Sequence, residues 1–196
     1  MIAVFNRDQN TLYMVDLDHY QEGLPTAYVS ADDYELDGVY DQEGNLAVNQ
    51  VLVVPGVFTG GNSQSGEITY GNDEFELPIP TGDYELLEYT SASIGHDGWF
   101  RVDPYDSSPR NDRYDNSMHR NSDGDLRTAF RLHPGSMSFG CVTFNSRDQR
   151  SVDGFNMVSQ ILNNTSTNQV RDRLGILNGL GVRTQMITKY GNLIVR

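Results

Sequence analysis

Two short runs of β-forming residues open the chain, 2–5 and 11–15, and the polar stretch between them predicts a hairpin. Residues 16–50 are acidic and turn-rich, with DQEGN at 41–45 the clearest loop. The apolar run 51–54 predicts a strand stopped by Pro55 and Gly56, and TGGNSQSG at 59–66 predicts a loop. Further strands are predicted at 67–70 and 83–89. Residues 103–126 are almost free of aliphatic side chains and predict a long surface excursion, a feature more often functional than idle. After Arg127 the pattern changes, and two strands are predicted at 130–133 and 141–144, separated by Pro134 and Gly135. Phe155, Val158, Ile161 and Leu162 recur at helical spacing with Asp153 near the start. A second helix is predicted over 170–180, weakened by Gly175 and Gly179. The tail, 184–189 and 193–195, reads as a hairpin around residues 190–192. The expected fold is one mostly β (α+β) domain over residues 1–196 with about two helices.

Composition narrows the function. A chain of 196 residues buries roughly 70% of its unfolded surface and holds a core without staples. With 27 acidic and 14 basic residues the formal net charge is -13, which repels phosphate backbones and anionic lipid surfaces. Nucleic acid is therefore not an expected partner. Apolar runs fall short of the roughly 18 residues that a spanning helix needs, so no membrane insertion is expected. MIAVFNRDQN has a short apolar run with Arg7 after it instead of a basic stretch before it, and predicts no secretory signal. The single cysteine excludes an internal disulfide, so Cys141 acts as a thiol or thiolate.

Four histidines and that cysteine are the inventory for nucleophile and base. RTAFRLHPGSMSFGCVTF, residues 127–144, holds two of them. Period-two alternation puts Phe130 and Leu132 on one face of the first strand and Arg131 and His133 on the other. On the second strand Val142 and Phe144 share a face, and Cys141 and Thr143 share the opposite one. With the apolar pairs inward, Arg131, His133 and Cys141 line one exposed face. The eight positions from His133 to Cys141 would span about 26 Å fully extended, so the chain must double back through the turn residues Pro134, Gly135 and Ser136. Strands about 4.8 Å apart then bring imidazole and thiol within reach. Gly140 lets a substrate approach the backbone, so the amides of Phe139, Gly140 and Cys141 are candidate oxyanion donors, each typically worth about 3 to 4 kcal/mol in the transition state. A neighbouring imidazolium would hold the sulfur as thiolate. The bland alternative is a buried cysteine in a non-catalytic acidic β module.

His133, a short turn, then Ser138, Phe139, Gly140, Cys141 and Val142 resemble the active-site signature of the L,D-transpeptidases, cysteine enzymes of bacterial peptidoglycan. LPIPTGDYEL at 77–86 is similar to the proline-threonine-glycine segment that precedes the catalytic region in that family. The likeness extends to the L,D-transpeptidase-like effectors delivered by type VI secretion, where FRLHPG and then S-x-G-C follow a polar stretch preceded by a Trp-Phe pair, here Trp99 and Phe100, and the chain ends in a Tyr-Gly hairpin. It covers roughly residues 1–196, most specifically 77–144. The resemblance implies an L,D-transpeptidase-like β-sandwich, Cys141 as nucleophile, His133 as general base, a pocket shaped by Ser138, Phe139 and Gly140, and no cofactor or metal. Its implied partners are a peptidoglycan stem peptide, type VI secretion components and a cognate immunity protein. It further implies synthesis in the cytoplasm and action in the periplasm of a target bacterium; the alternative within the same resemblance is a housekeeping enzyme that remodels the wall of its own cell.

The departures from the family matter. General L,D-transpeptidases have a longer gap after the base, a histidine where this chain has Phe139, and an arginine where it has Thr143. Cleavage or exchange at tetrapeptide stems is therefore expected ahead of cross-linking. Arg131 becomes the candidate carboxylate binder in place of the missing cation, with Thr143 and Trp99 as further substrate contacts. A backbone carbonyl, Asp115 or Asp125 is the candidate group that orients His133. A papain-like amidase would need its histidine after the cysteine, whereas all four histidines precede Cys141. Around Asn121, Asp123 and Gly124 a calcium-loop register puts His119 and Phe130 at carboxylate positions, and TGGNSQSG lacks the lysine of a phosphate loop.

Overall fold

The computed structural model describes residues 1–63, 67–69, 77–89, 96–114, 126–173 and 185–196. The predicted hairpin forms from β1 (Ile2–Asn6) and β2 (Thr11–Val15), with Ala3 opposite Met14 and Phe5 opposite Leu12, all four in the core. There follow β3 (Thr26–Val29), β4 (Val39–Tyr40), β5 (Leu46–Pro55), β6 (Val57–Phe58), β7 (Gly61–Asn62), β8 (Gly82–Glu88) and β9 (Phe100–Pro104). The C-terminal half supplies β10 (Arg131–Gly135), β11 (Met137–Ser138), β12 (Val142–Asn145), α1 (Gln149–Asn164), β13 (Asn168–Arg171) and β14 (Met186–Val195). The fold is mostly β, of α+β type, as predicted.

Its main sheet is mixed and runs β3, β5, β2, β1, β14, β8, β9, β10, β12, β6, while β7 and β11 form a separate pair. The far end, β6, is the continuation of β5 past Gly56, so the sheet must curl back towards its own beginning. Gly56 makes that corner at φ +71°, where a residue without Cβ is least strained, and the Val57 N–H then reaches Asn10 O at 3.0 Å. Helix α1 lays Phe155, Val158, Ile161 and Leu162 against the same core as Leu52, Val54, Leu132, Val142 and Phe144. Its N-cap is Asp148, whose carboxylate accepts the Arg150 N–H, and not Asp153, which sits one turn in. Among the described residues no helix is long and apolar enough to cross a membrane.

Several predicted elements need correction. Val170 and Arg171 belong to β13, which is held by the ladder to Ile187 and Met186, so the second helix does not start there; residues 174–180 of that prediction lie outside the described residues. The tail is not a hairpin. β14 runs through residues 190–192 with only a register shift between Lys189 and Gly191, and the glycine serves a close approach, since a Cβ at 191 would collide with Met1 O. Within 59–66, Gly61 and Asn62 pair with Ser138 and Met137, while 64–66 lie outside the described residues. In place of the strand predicted at 67–70, Thr69 makes an isolated bridge to Asn62, and residue 70 lies outside the described residues. The surface excursion begins late, because Asp103 and Pro104 finish β9 and Asp112 is buried; residues 115–125 lie outside the described residues.

Candidate active site

β10 and β12 lie side by side and parallel, with Leu132 opposite Val142 and His133 opposite Thr143. The first strand thus continues through Pro134 and Gly135, and the reversal predicted there happens later, through β11 and the loop 139–141. Leu132, Val142 and Phe144 enter the core, which turns Arg131, His133, Cys141 and Thr143 to the other face, as alternation predicts. That face is covered, not exposed: Arg131 and His133 are each 7% accessible and Thr143 is 0%.

The imidazole is fixed from three sides. Its Nδ1 lies 2.9 Å from Pro134 O, and a carbonyl only accepts, so Nδ1 carries the proton and Nε2 is the basic nitrogen. Nε2 faces Thr143 Oγ1 at 3.3 Å, whose hydroxyl donates to it. The Trp99 ring stacks on the imidazole with centroids 4.1 Å apart, and His96 stacks on the other face of Trp99 at 4.1 Å. Of the three orienting groups open from sequence, the backbone carbonyl is the one in contact, whereas Asp115 and Asp125 lie outside the described residues. Burial, seconded by the nearby His96 and then Arg131, pulls the His133 pKa below the ordinary imidazole range despite the bond to Pro134. Thr143 and Trp99, predicted as substrate contacts, are placed as supports of His133.

Cys141 ends the loop that leads into β12 and keeps part of its surface exposed. Ser138 is wholly enclosed; its Oγ donates to Cys141 O at 2.8 Å and accepts the Gly60 N–H at 3.2 Å, which ties the thiol loop to the end of β6. Phe139 stands out into solvent at 59% accessibility, and Gly140 holds φ +92°, left-handed backbone that a side chain would strain. The thiol points to Ala129 O at 3.8 Å, and the Arg131 backbone N–H bonds to the sulfur. Imidazole and thiol therefore flank each other diagonally on one sheet face and share no hydrogen bond. Burial pushes the Cys141 thiol above its ordinary range, against the pull of Arg131 and Arg127. The expected thiolate and imidazolium pair is thus replaced at rest by a neutral thiol beside a neutral base.

Sequence reasoning missed the charges that frame the sulfur. Arg131 is spent on Asp112, Nη1 to Oδ1 at 2.6 Å and Nη2 to Oδ2 at 2.7 Å, a bidentate pair that leaves no such fork for a substrate. Its guanidinium also lies 4.3 Å from the Tyr89 ring centre. Asp112 is held by its own N–H on Asp103 Oδ2 at 2.9 Å, and Asp103 in turn binds Arg101 at 2.6 Å. Asp112 and Ala129 adopt φ +60° and +62°, and the Ala129 N–H reaches Asp112 O at 3.2 Å. Two strained residues thus set the wall around the thiol. The residue types were visible in sequence, but nothing in their spacing announced the pairing. Among the described residues no group of three or more His, Cys, Asp or Glu could hold a metal. A hollow of about 720 Å³ lies elsewhere, on the outer side of β2 and β5, lined by residues such as Tyr13, Tyr28 and Val53. Comparison with protein-family models, curated proteins and solved structures finds no match to this chain.

Proposed function

We propose that the protein is a peptidoglycan-targeting cysteine L,D-carboxypeptidase or L,D-transpeptidase acting on tetrapeptide stems, of the antibacterial effector kind delivered by type VI secretion into a rival's periplasm, and neutralised in its producer by an immunity protein. The observation that carries this reading is the placement of Cys141 and His133 on one face of parallel β10 and β12, with the basic Nε2 defined by the Pro134 and Thr143 contacts. The S-x-G-C resemblance supplies the substrate class. In the reaction, Sγ of Cys141 attacks the carbonyl between the L-centre of the third-position diamino acid and the terminal D-Ala. His133 Nε2 takes the thiol proton and passes it to the departing D-Ala amine, which leaves a thioester on Cys141. Water then releases the tripeptide and frees the thiol, or a D-amino acid takes the acyl group in exchange.

A second reading, a non-catalytic β module with Cys141 as a structural thiol, draws on the raised thiol pKa and on the lack of a hydrogen bond from imidazole to sulfur. Digestion of purified muropeptides separates the two. Loss of one D-Ala from tetrapeptides with the native chain, abolished in Cys141→Ala, is the expected result by mass spectrometry, and intact tetrapeptides after prolonged digestion would refute the enzyme.

A further inference from the structure

A second arginine stands beside the thiol, and like Arg7, which donates to Ile79 O at 3.0 Å, it meets backbone carbonyls and no carboxylate among the described residues. Arg127 Nη1 donates to Pro78 O at 2.7 Å and Nη2 to Leu77 O at 2.8 Å, and its guanidinium lies 5.2 Å from the Phe130 ring centre. Arg101, Arg110, Arg131, Arg150 and Lys189 each meet a carboxylate. Among the described residues Arg127 meets only neutral carbonyls. In a chain of net charge -13, a half-buried cation that bonds no acid is conspicuous. Carbonyl oxygens accept its hydrogen bonds but do not neutralise it, and burial works against its charge.

Its place is set by Gly140. A Cβ there would collide with Arg127 Nη2, so the glycine that precedes the nucleophile also makes room for the guanidinium. Charges that act on the sulfur are Arg131, Asp112 and Arg127. The first two form a closed ion pair, which leaves Arg127, among the described residues, as the positive charge next to Cys141 without a carboxylate partner. A guanidinium carries five N–H donors, and two suffice for Leu77 and Pro78, so donors remain for an anion.

On the acyl-transfer reading above, on which this step rests, we infer that Arg127, and not Arg131, binds the carboxylate of the substrate's terminal residue beside Cys141, which asks of the substrate a free α-carboxylate close to the scissile carbonyl. Arg131, locked to Asp112, is a structural member of the wall. A terminal D-Ala places its carboxylate on the residue that leaves, next to the carbonyl attacked, and satisfies both demands at once.

The test uses the full chain and its single thiol. Alkylation rates of Cys141 by anionic iodoacetate and neutral iodoacetamide are compared at low salt, with N-acetylcysteinamide as the reference thiol. The folded protein is expected to favour iodoacetate by about tenfold relative to the reference, the size of effect that one nearby, partly screened charge produces. Arg127→Gln should return the ratio to the reference value, and Arg127→Lys should keep part of the preference. As Arg127 also pins Leu77 and Pro78, a measurement on the native chain guards against a variant that fails to fold: D-alanine should protect Cys141 from iodoacetamide, and D-alaninamide should not. A native ratio at or below the reference, a ratio that Arg127→Gln leaves unchanged, or equal protection by acid and amide would overturn the inference. Carboxylate preference without muropeptide cleavage would sink the enzyme reading and leave the anion site; cleavage with no charge preference would do the reverse.

Discussion

At Cys141 burial and charge pull in opposite directions. Low polarity around the sulfur penalises the thiolate, while Arg131 and Arg127 favour it, and burial is the larger effect, so the pKa lies above the ordinary value of 9.0. For His133 burial, His96 and Arg131 push the same way, below the ordinary 6.5. The sign of the pH dependence follows. On the proposed mechanism, protonating His133 would remove the base, but only below the ordinary imidazole range, so muropeptide cleavage should hold down to pH 6.5 before its acid limb sets in. Deprotonating Cys141 begins late, so iodoacetamide labelling of the folded chain should rise steadily from pH 7 to pH 9 without a plateau. A labelling rate already level at neutral pH would mean a preformed thiolate and would contradict this arrangement. That the two side chains share one sheet face was legible in the sequence, because apolar alternation fixes which side of each strand enters the core. Their protonation states were not, since those depend on how much protein surrounds each group.

At the scale of elements, strands were easier to foresee than their partners. Apolar alternation marks β10 and β12 because each must bury one face, yet it carries no information on direction. The two were expected as neighbours across a tight turn, and they lie parallel, joined by β11 and a loop that first visits β7. Helix α1 was found from Phe155, Val158, Ile161 and Leu162 but started too late, because its first turn is polar and gains its order from the Asp148 cap. Gly154 gives this helix a testable contact. Glycine inside a helix is worse than alanine by about 0.5–1 kcal/mol, so Gly154→Ala would stabilise an isolated helix. Here the new Cβ would collide with Val54 of β5, and overpacking costs about 1–3 kcal/mol. Packing should win, and the urea midpoint of Gly154→Ala should fall; a rise would show that α1 stands further from β5 than described.

Across the molecule, one buried ionic assembly joins the sheet to the polar excursion. Arg101 bridges Asp103 and Asp172, Arg110 and Lys189 share Glu85, and Asp112 joins Arg131. Such pairs contribute little net stability when intact, but losing one partner strands a charge at about 3–5 kcal/mol. Asp112→Asn should therefore lower the urea midpoint. It should also speed alkylation of Cys141 at pH 7, because Asp112 is a negative charge that raises the thiol pKa and Arg131 would lose its counterion. Slower alkylation in a folded Asp112→Asn protein would show that this carboxylate does not set the field at the sulfur.

What the sequence by itself determined was whatever depends on local pattern: the β-rich class, the first hairpin, the core face of α1, and the sheet face shared by His133 on β10 and Cys141 just ahead of β12. Tertiary structure alone decided which groups surround them. Thr143 and Trp99 came to support the imidazole, Asp112 took Arg131 out of play, and Arg127 came to rest on Gly140. Hydrophobic periodicity records which side of a strand is buried, because that is a property of each residue and its immediate neighbours. Charge pairing and desolvation depend on segments far apart in the chain, and only the folded chain brings those within a few ångströms of each other.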